Sequence, residues 1–300
     1  MQDTRYDFQP MRVDHGDEVN ILVGCSGELL RIDANGTPIH ESVTPFPANI
    51  SDGVVIGESW IGTWVDPELR EARMAALPLV GNWEDGAGRQ QLREYSNSEI
   101  LMPASSIWSR RLDAEPMALT LVSNGVIFAT LNRGIYMIDE EARELWRTSY
   151  PQWPGLTKFQ YSDTLVSCTE FDDRIAVWSR SGAVTILDAK DGSFISNQIV
   201  SLTGPLAGVE YSKDGGWFLI LENGGICLLS DLQDTPQLVD TPGPVFDARF
   251  SIEGWKWTGW RHDGNNTGQK SETVNRQDIG IALVGDNVIT NDGRWDKFRA

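Results

Sequence analysis

The 300-residue chain is 40% hydrophobic and 23% charged, the composition of a protein with a real core. No apolar run approaches the length needed to cross a bilayer, and the opening "MQDTRYDFQPMRVDHGDE" lacks the basic start and apolar stretch of a secretory signal, so a cytoplasmic protein is expected. A formal charge of −18, with no visible basic patch, disfavours phosphate backbones as partners and suits solubility, a salty cytoplasm or a basic protein partner.

Taken along the chain, "YDFQPMRV" (Tyr6–Val13) precedes the first full unit of an internal repeat and reads as a strand able to complete the last one. "DHGDE" (Asp14–Glu18) gathers carboxylates beside a histidine within one loop; metal ligands converge from several elements, so this is read as a solvated acidic turn. "GCSGELLRIDANG" (Gly24–Gly36) then sets out a pattern that recurs: an apolar run, a turn with glycine, a second apolar run, an aspartate and another turn. "GESWIGTWVDPE" (Gly57–Glu68) repeats it around Asp66, and "DPELREARMAAL" (Asp66–Leu77), although helix-like in composition, falls where an outer strand belongs.

The polar stretch "GNWEDGAGRQQLREYSNSE" (Gly81–Glu99) interrupts the rhythm. Residues 81–104 are either an insertion or a degenerate repeat, and Gly81–Glu99, as an unusually long loop, is the candidate partner-specific element, removable without loss of folding. The pattern resumes at "VIFATLNRGIYMID" and continues through "RIAVWSRSGAVTILDAKDG" and "GWFLILENGGICLLSDLQD". Across these copies Gly27, Gly182 and Gly224 align, as do Asp33, Asp139 and Asp188, and apolar residues fall on apolar ones: Val126 on Ile175, Val177 on Leu219, Val184 on Ile226. Each unit reads as strand, hairpin, strand and turn, the aspartate accepting hydrogen bonds from the turn it precedes. Continuous rather than alternating apolar runs mark strands buried on both faces.

"GPLAGVEYSKDGG" (from Gly204) and "GPVFDARFSIEG" (from Gly243) repeat one another as first strands of successive units, and weaker units surround Asp263 and Asp292. "SNGVIFATLNRGIYMIDEEARELW" (Ser123–Trp146) resembles a PQQ-like propeller repeat, and the "YSKDGG" and "FSIEGW" turns resemble those of WD40 repeats. The resemblance covers most of the chain and implies one all-β domain, residues 1–300, built as a β-propeller of four-stranded blades. Roughly forty residues per blade gives seven, with six and eight as neighbouring counts. It does not imply PQQ: the quinoprotein enzymes are longer and carry calcium ligands that have no counterpart here. No cofactor is expected.

Chemistry is sparse. "GCSGE" and "GESWIG" lack the second glycine of a nucleophile elbow, and no zinc, phosphate-loop or dinucleotide motif occurs. "DGNNTG" (Asp263–Gly268) begins like a calcium loop but has Val274 where the bidentate glutamate belongs, and reads as a turn. Cys25, Cys168 and Cys227 lie far apart among apolar residues and read as reduced core cysteines. "WKWTGWRH" concentrates aromatic rings; Trp255 and Trp257 share one face of a strand and Trp260 the other, and with Arg261 and His262 they form the candidate binding site, against a default role in packing between blades. The expected function is a non-catalytic protein-interaction scaffold. The alternative is a propeller hydrolase, or a small-ligand or metal-binding protein, acting at a channel mouth.

Overall fold

Residues 60–64 and 72–77 show why this chain folds as it does: they are apolar or small at nearly every position, so each strand offers an apolar surface on both sides. The computed structural model describes residues 5–94, 101–156, 163–268 and 270–300, and among them the chain forms seven antiparallel sheets, each a simple up-and-down meander. Two compact units carry them, residues 7–150 and residues 151–300 together with 1–6.

The first unit holds three sheets. They are β1 (Pro10–Asp14), β2 (Val19–Gly24) and β3 (Leu29–Asp33); β4 (Asn49–Ile56), β5 (Ser59–Asp66), β6 (Glu71–Pro78) and β7 (Trp108–Arg111); and β8 (Pro116–Val122), β9 (Gly125–Thr130), β10 (Gly134–Ile138) and β11 (Glu144–Ser149). The fourth strand of the first sheet is reduced to single bridges from Leu29 to Val43 and from Ile32 to Pro38. On β5 and β6 alternate side chains part company. Trp60, Trp64, Ala75 and Leu77 pack towards the first sheet with Ile21, Val23 and Phe46, while Ile61, Met74 and Ala76 pack towards the third with Leu119, Val126 and Phe128.

The second unit holds four sheets: β12 (Leu165–Phe171), β13 (Arg174–Ser179), β14 (Ala183–Asp188) and β15 (Phe194–Ile199); β16 (Leu206–Ser212), β17 (Gly216–Leu221), β18 (Ile226–Leu229) and β19 (Gln237–Val239); β20 (Val245–Ser251), β21 (Gly254–Gly259), β22 (His262–Asn266) and β23 (Ser271–Asn275); and β24 (Gly280–Val284), β25 (Asn287–Thr290) and β26 (Trp295–Lys297). Neighbouring residues of β17 again serve opposite faces. The Trp217 ring meets Phe171 at 4.9 Å and Trp178 at 5.4 Å on one side, and the Phe218 ring meets Trp255 at 4.9 Å and Trp257 at 5.7 Å on the other.

Residues 6–13 divide between the ends of the chain. Arg5 bridges Arg294 and the Tyr6 amide donates to Gly293 O at the edge of the last sheet, with Trp295 Nε1 donating to Tyr6 Oη at 2.6 Å; Pro10 already opens β1 of the first. Asp66–Leu77 is not helical: it ends β5 at Asp66, turns through residues 67–70 and enters β6, which is not the outer strand expected but the third of its sheet, with β7 outside it. The hairpin glycines Gly27, Gly182 and Gly224 have φ of +94°, +85° and +97°, a conformation that strains any L-residue. Asp33 Oδ1 accepts amides of Asn35 and Thr37 at 2.8 Å, Asp188 Oδ1 that of Lys190 at 2.8 Å, and Asp139 Oδ1 that of Arg143 at 2.8 Å, the turn role expected of them.

One feature of the repeat has no counterpart in the sequence. The first strand of every sheet carries a register shift at the same place, at Pro10/Arg12, Ile50/Asp52, Pro116/Ala118, Leu165/Ser167, Leu206/Gly208, Val245/Asp247 and Gly280/Ala282. The residue just after the bulge can reach the next sheet of its own unit. Asp52 Oδ2 accepts the Leu119 amide of β8 at 2.9 Å, Asp247 Oδ2 accepts the Leu283 amide of β24 at 2.7 Å, and Ser167 Oγ donates to Val209 O of β16 at 3.5 Å. Side chain to backbone, each bond ties one first strand to the next.

The segment 79–107 lies inside a blade, between β6 and β7, which accounts for the long interval from Asp66 to Asp139. Residues 95–100 of it fall outside the described residues. The described part is not a detachable loop. Trp83 and Leu92, the latter on the short helix α1 (Arg89–Glu94), are buried in the core of the first two sheets. Trp83 Nε1 donates to Pro78 O at 2.7 Å, and the Arg31 guanidinium stacks 4.6 Å over the indole while donating to Leu79 O and Gly81 O at 2.5 and 2.6 Å. The segment covers the flank where the first sheet has no full fourth strand, so its removal would uncover core.

Two measurements test this packing. Trp83→Ala should destabilise the protein by about 3–5 kcal/mol in urea unfolding, the usual range for emptying a buried tryptophan site; a loss below about 1 kcal/mol would mean that the segment is not part of the core. Burial pushes the Asp52 carboxyl up to about 6, with Asp14 adding to the rise and Arg12 and the two amide bonds opposing it. A carboxyl held more tightly protonated in the folded chain than its unfolded value of about 3.9 adds stability as pH falls through that window and loses it as pH rises. The melting temperature of the wild type relative to Asp52→Asn should therefore increase from pH 7 to pH 4.5; a decrease would show that Arg12 dominates.

Candidate functional site

The segment "WKWTGWRH" spans a strand, a two-residue hairpin turn and the first residue of the next strand. Gly259 on β21 faces His262 on β22, leaving Trp260 and Arg261 as the whole turn. The structure therefore separates the predicted residues. Trp255 and Trp257 are buried with Phe218, Ile226 and Ala248 between the fifth and sixth sheets, as their role in packing requires. The Trp255 indole donates to Gly215 O at 3.0 Å, and Trp257 lies flat over Gly264, where an added Cβ would stand 2.2 Å from the ring.

His262 is also buried, its Nδ1 3.0 Å from the Trp260 carbonyl, and burial lowers its pKa against the opposing pull of that carbonyl and of Asp263. A neutral imidazole donating to Trp260 O braces the turn. Only Trp260 and Arg261 face solvent. Trp260 is 47% exposed, and its amide donates to Pro244 O at 2.8 Å. It rests over Gly243, where a Cβ would come within 2.9 Å of the Trp260 Cβ. Arg261 takes a left-handed φ of +59°, and its carbonyl accepts the Arg276 amide at 2.9 Å.

Beneath the turn lies a buried ion cluster that composition alone does not reveal. "DGNNTG" is no loop: His262–Asn266 is β22, and Asp263 is fully buried. Its two carboxylate oxygens accept from Arg276 Nη1 at 2.7 and 2.9 Å, and Thr258 Oγ1 donates to it at 2.7 Å. Arg276 Nη2 donates onward to Asp296 at 3.0 Å, where Arg299 Nη2 also donates at 2.7 Å. Turn-like composition hid a strand because its aspartate is neutralised by an arginine thirteen residues later. A buried pair of this kind is costly to break, and both oxygens of Asp263 are engaged by protein donors.

The other chemistry-bearing segments are likewise absorbed. Asp14 of "DHGDE" is buried rather than solvated: it accepts from Arg12 Nε at 2.7 Å and from Trp60 Nε1 at 2.8 Å, and only Asp17 and Glu18 stand exposed in the turn. Cys168 and Cys227 are buried free thiols, but Cys25 is exposed, since its place in the hairpin turn faces outward. Two of the protein's clefts each lie within one unit. One, of about 430 Å³, lies between the fifth and sixth sheets beside Lys213, Asp214, Phe250 and Ile252; the other, of about 580 Å³, is lined by Cys25, Thr44, Asp66, Asp85 and Arg89. Among the described residues no three His, Cys, Asp or Glu side chains are placed to hold a metal ion, and no helix is long and apolar enough to cross a membrane.

No known protein family and no curated protein matches the sequence. Solved structures do match in fold. BamB from Moraxella catarrhalis superposes with a TM-score of 0.56 at 14% identity, over 95% of this chain and 82% of that one. The Cps50 (Swd1) beta-propeller domain from Myceliophteria thermophila superposes with a TM-score of 0.65 at 12% identity, over 98% of this chain and 97% of that one. With seven consecutive meander sheets in the chain, the protein has the fold of a seven-bladed β-propeller.

Proposed function

We propose that the protein is a non-catalytic interaction scaffold whose partner is gripped at the Trp260–Arg261 turn. The supporting observation is a comparison that the repeat itself supplies. The turns between second and third strands read "CSGE", "PELR", "LNR", "RSG", "ENGG", "WR" and "NDGR" in the seven blades. Six of them carry no aromatic ring, and the largest apolar residues in those six are Leu69 and Leu131. The sixth blade alone puts an aromatic ring there, leaves it half exposed, and braces it from below with His262 and Gly243. Packing does not ask for that ring. A rigid tryptophan beside an arginine is the composition of a binding hot spot. The net charge of −18 favours a basic partner, and the three free cysteines accord with a cytoplasmic setting.

Trp260→Ala tests the reading. Purified by affinity tag from the native host, the wild type should retain a protein that the variant loses, with binding to that protein weakened roughly thirtyfold, the equivalent of about 2 kcal/mol, and an unchanged melting temperature. Identical retained proteins at equal affinity would remove the turn from the binding surface.

A further inference from the structure

The same internal comparison singles out an edge strand. Five sheets have a fourth, outermost strand whose far side pairs with nothing among the described residues. Such edges invite pairing with other chains, and proteins blunt them with charge or shortness. Four of the five are blunted: β7 carries Arg110 and Arg111, β11 carries Glu144 and Arg147, β19 is three residues long, and β23 carries Glu272. The exception is β15. Its six residues, "FISNQI", include no charge and no proline, and Phe194, Ile195 and Ile199 are 63%, 44% and 60% exposed.

The backbone of this strand is ready for a partner. A bulge at Ile195 has its equal in β11 at Leu145, so it belongs to the repeat, and Ser196–Ile199 runs in regular register with Ala183–Ile186. The Val200 amide donates inward to Gly182 O at 2.9 Å. By the two-residue alternation of an antiparallel ladder, Gln198 and Ser196 also bond inward, and Asn197 and Ile199 direct their N–H and C=O groups outward. Carboxylates flank both ends. Exposed Asp191 stands before the strand with Lys190, and Gln198 meets Gln233 at 2.5 Å, which brings the exposed Asp231 and Asp234 alongside.

We propose that β15 is a strand-addition site, at which an extended segment of a partner protein, apolar in the middle and basic at its ends, pairs with the free edge at Asn197 and Ile199. The flanking carboxylates and the net charge of −18 select a basic segment over a second copy of this acidic chain. The assignment rests on the scaffold reading but not on the Trp260 turn.

A synthetic peptide with valines at its centre and lysines at both ends is the probe, and amide hydrogen exchange of the full chain is the readout. The peptide should slow exchange at Asn197 and Ile199 by about tenfold or more, with the effect fading in high salt. Ile199→Lys, a change at an exposed side chain, should abolish the protection, and so should a central proline in the peptide. Three results would overturn the proposal: no slowing at these amides, equal slowing by the proline-bearing peptide, or a dimer in solution that Ile199→Lys dissolves, which would give the edge to a second copy. Trp260→Ala, measured in parallel, should leave the protection intact. Loss of a partner at Trp260 with no protection of β15 would therefore sink the strand-addition site alone.

Discussion

A sheet with two apolar faces has no stable existence on its own, and nearly every feature of this molecule answers that constraint. Trp217 and Phe218 are consecutive residues that point in opposite directions, and each finds an aromatic partner in a neighbouring sheet. Trp60 and Ile61 do the same in the other unit, with apolar partners on either side. Such strands cannot alternate apolar with polar residues, because no face is left for water. Within each unit a sheet is the solvent-excluding cover of its neighbour, so stability is shared between them and loss at one face is felt on two sheets.

Covering the faces leaves the first strands of a unit side by side, and there the repeated bulge lets the residue that follows it reach the neighbouring sheet. Asp52, Ser167 and Asp247 use that position to bond backbone groups of the following sheet. A buried carboxylate bonded to backbone amides fixes relative position, because its geometry is directional where apolar contact is not. For Asp52 the cost is visible in a carboxyl pushed up to about 6 by burial. Apolar packing supplies most of the cohesion, and these few polar bonds set the register between sheets.

Much of this was legible in the sequence, for reasons that can be named. The hairpin glycines align because only glycine takes φ near +90° without strain, and the turn aspartates because a carboxylate there accepts local amides. The bulges were not legible, since the residues at them are as different as Met11, Ser51, Ala207 and Phe246. They arise from backbone twist and packing rather than composition. β7 was hidden because a polar outer strand lies some thirty residues beyond its partner, and β22 because "DGNNTG" has the composition of a turn while its aspartate answers a distant arginine. At the candidate site the sequence pointed to five residues by aromatic density alone. Three of them, Trp255, Trp257 and His262, are spent on packing and support, and the distinction needed the two-residue turn to be seen.

A repeat protein carries its own control. Where seven copies solve one structural problem, a copy that departs without structural need marks a place where something else is asked of it. The exposed ring at Trp260 and the uncharged edge at β15 are two such departures. Both readings assume that the sheets stand or fall with their neighbours, and hydrogen exchange on Trp217→Ala tests that assumption most directly. Exchange should quicken in β13 of the fourth sheet as well as in β17 of the fifth, because the ring is shared between them. Faster exchange confined to the fifth sheet would show that each blade stands alone and would contradict the account.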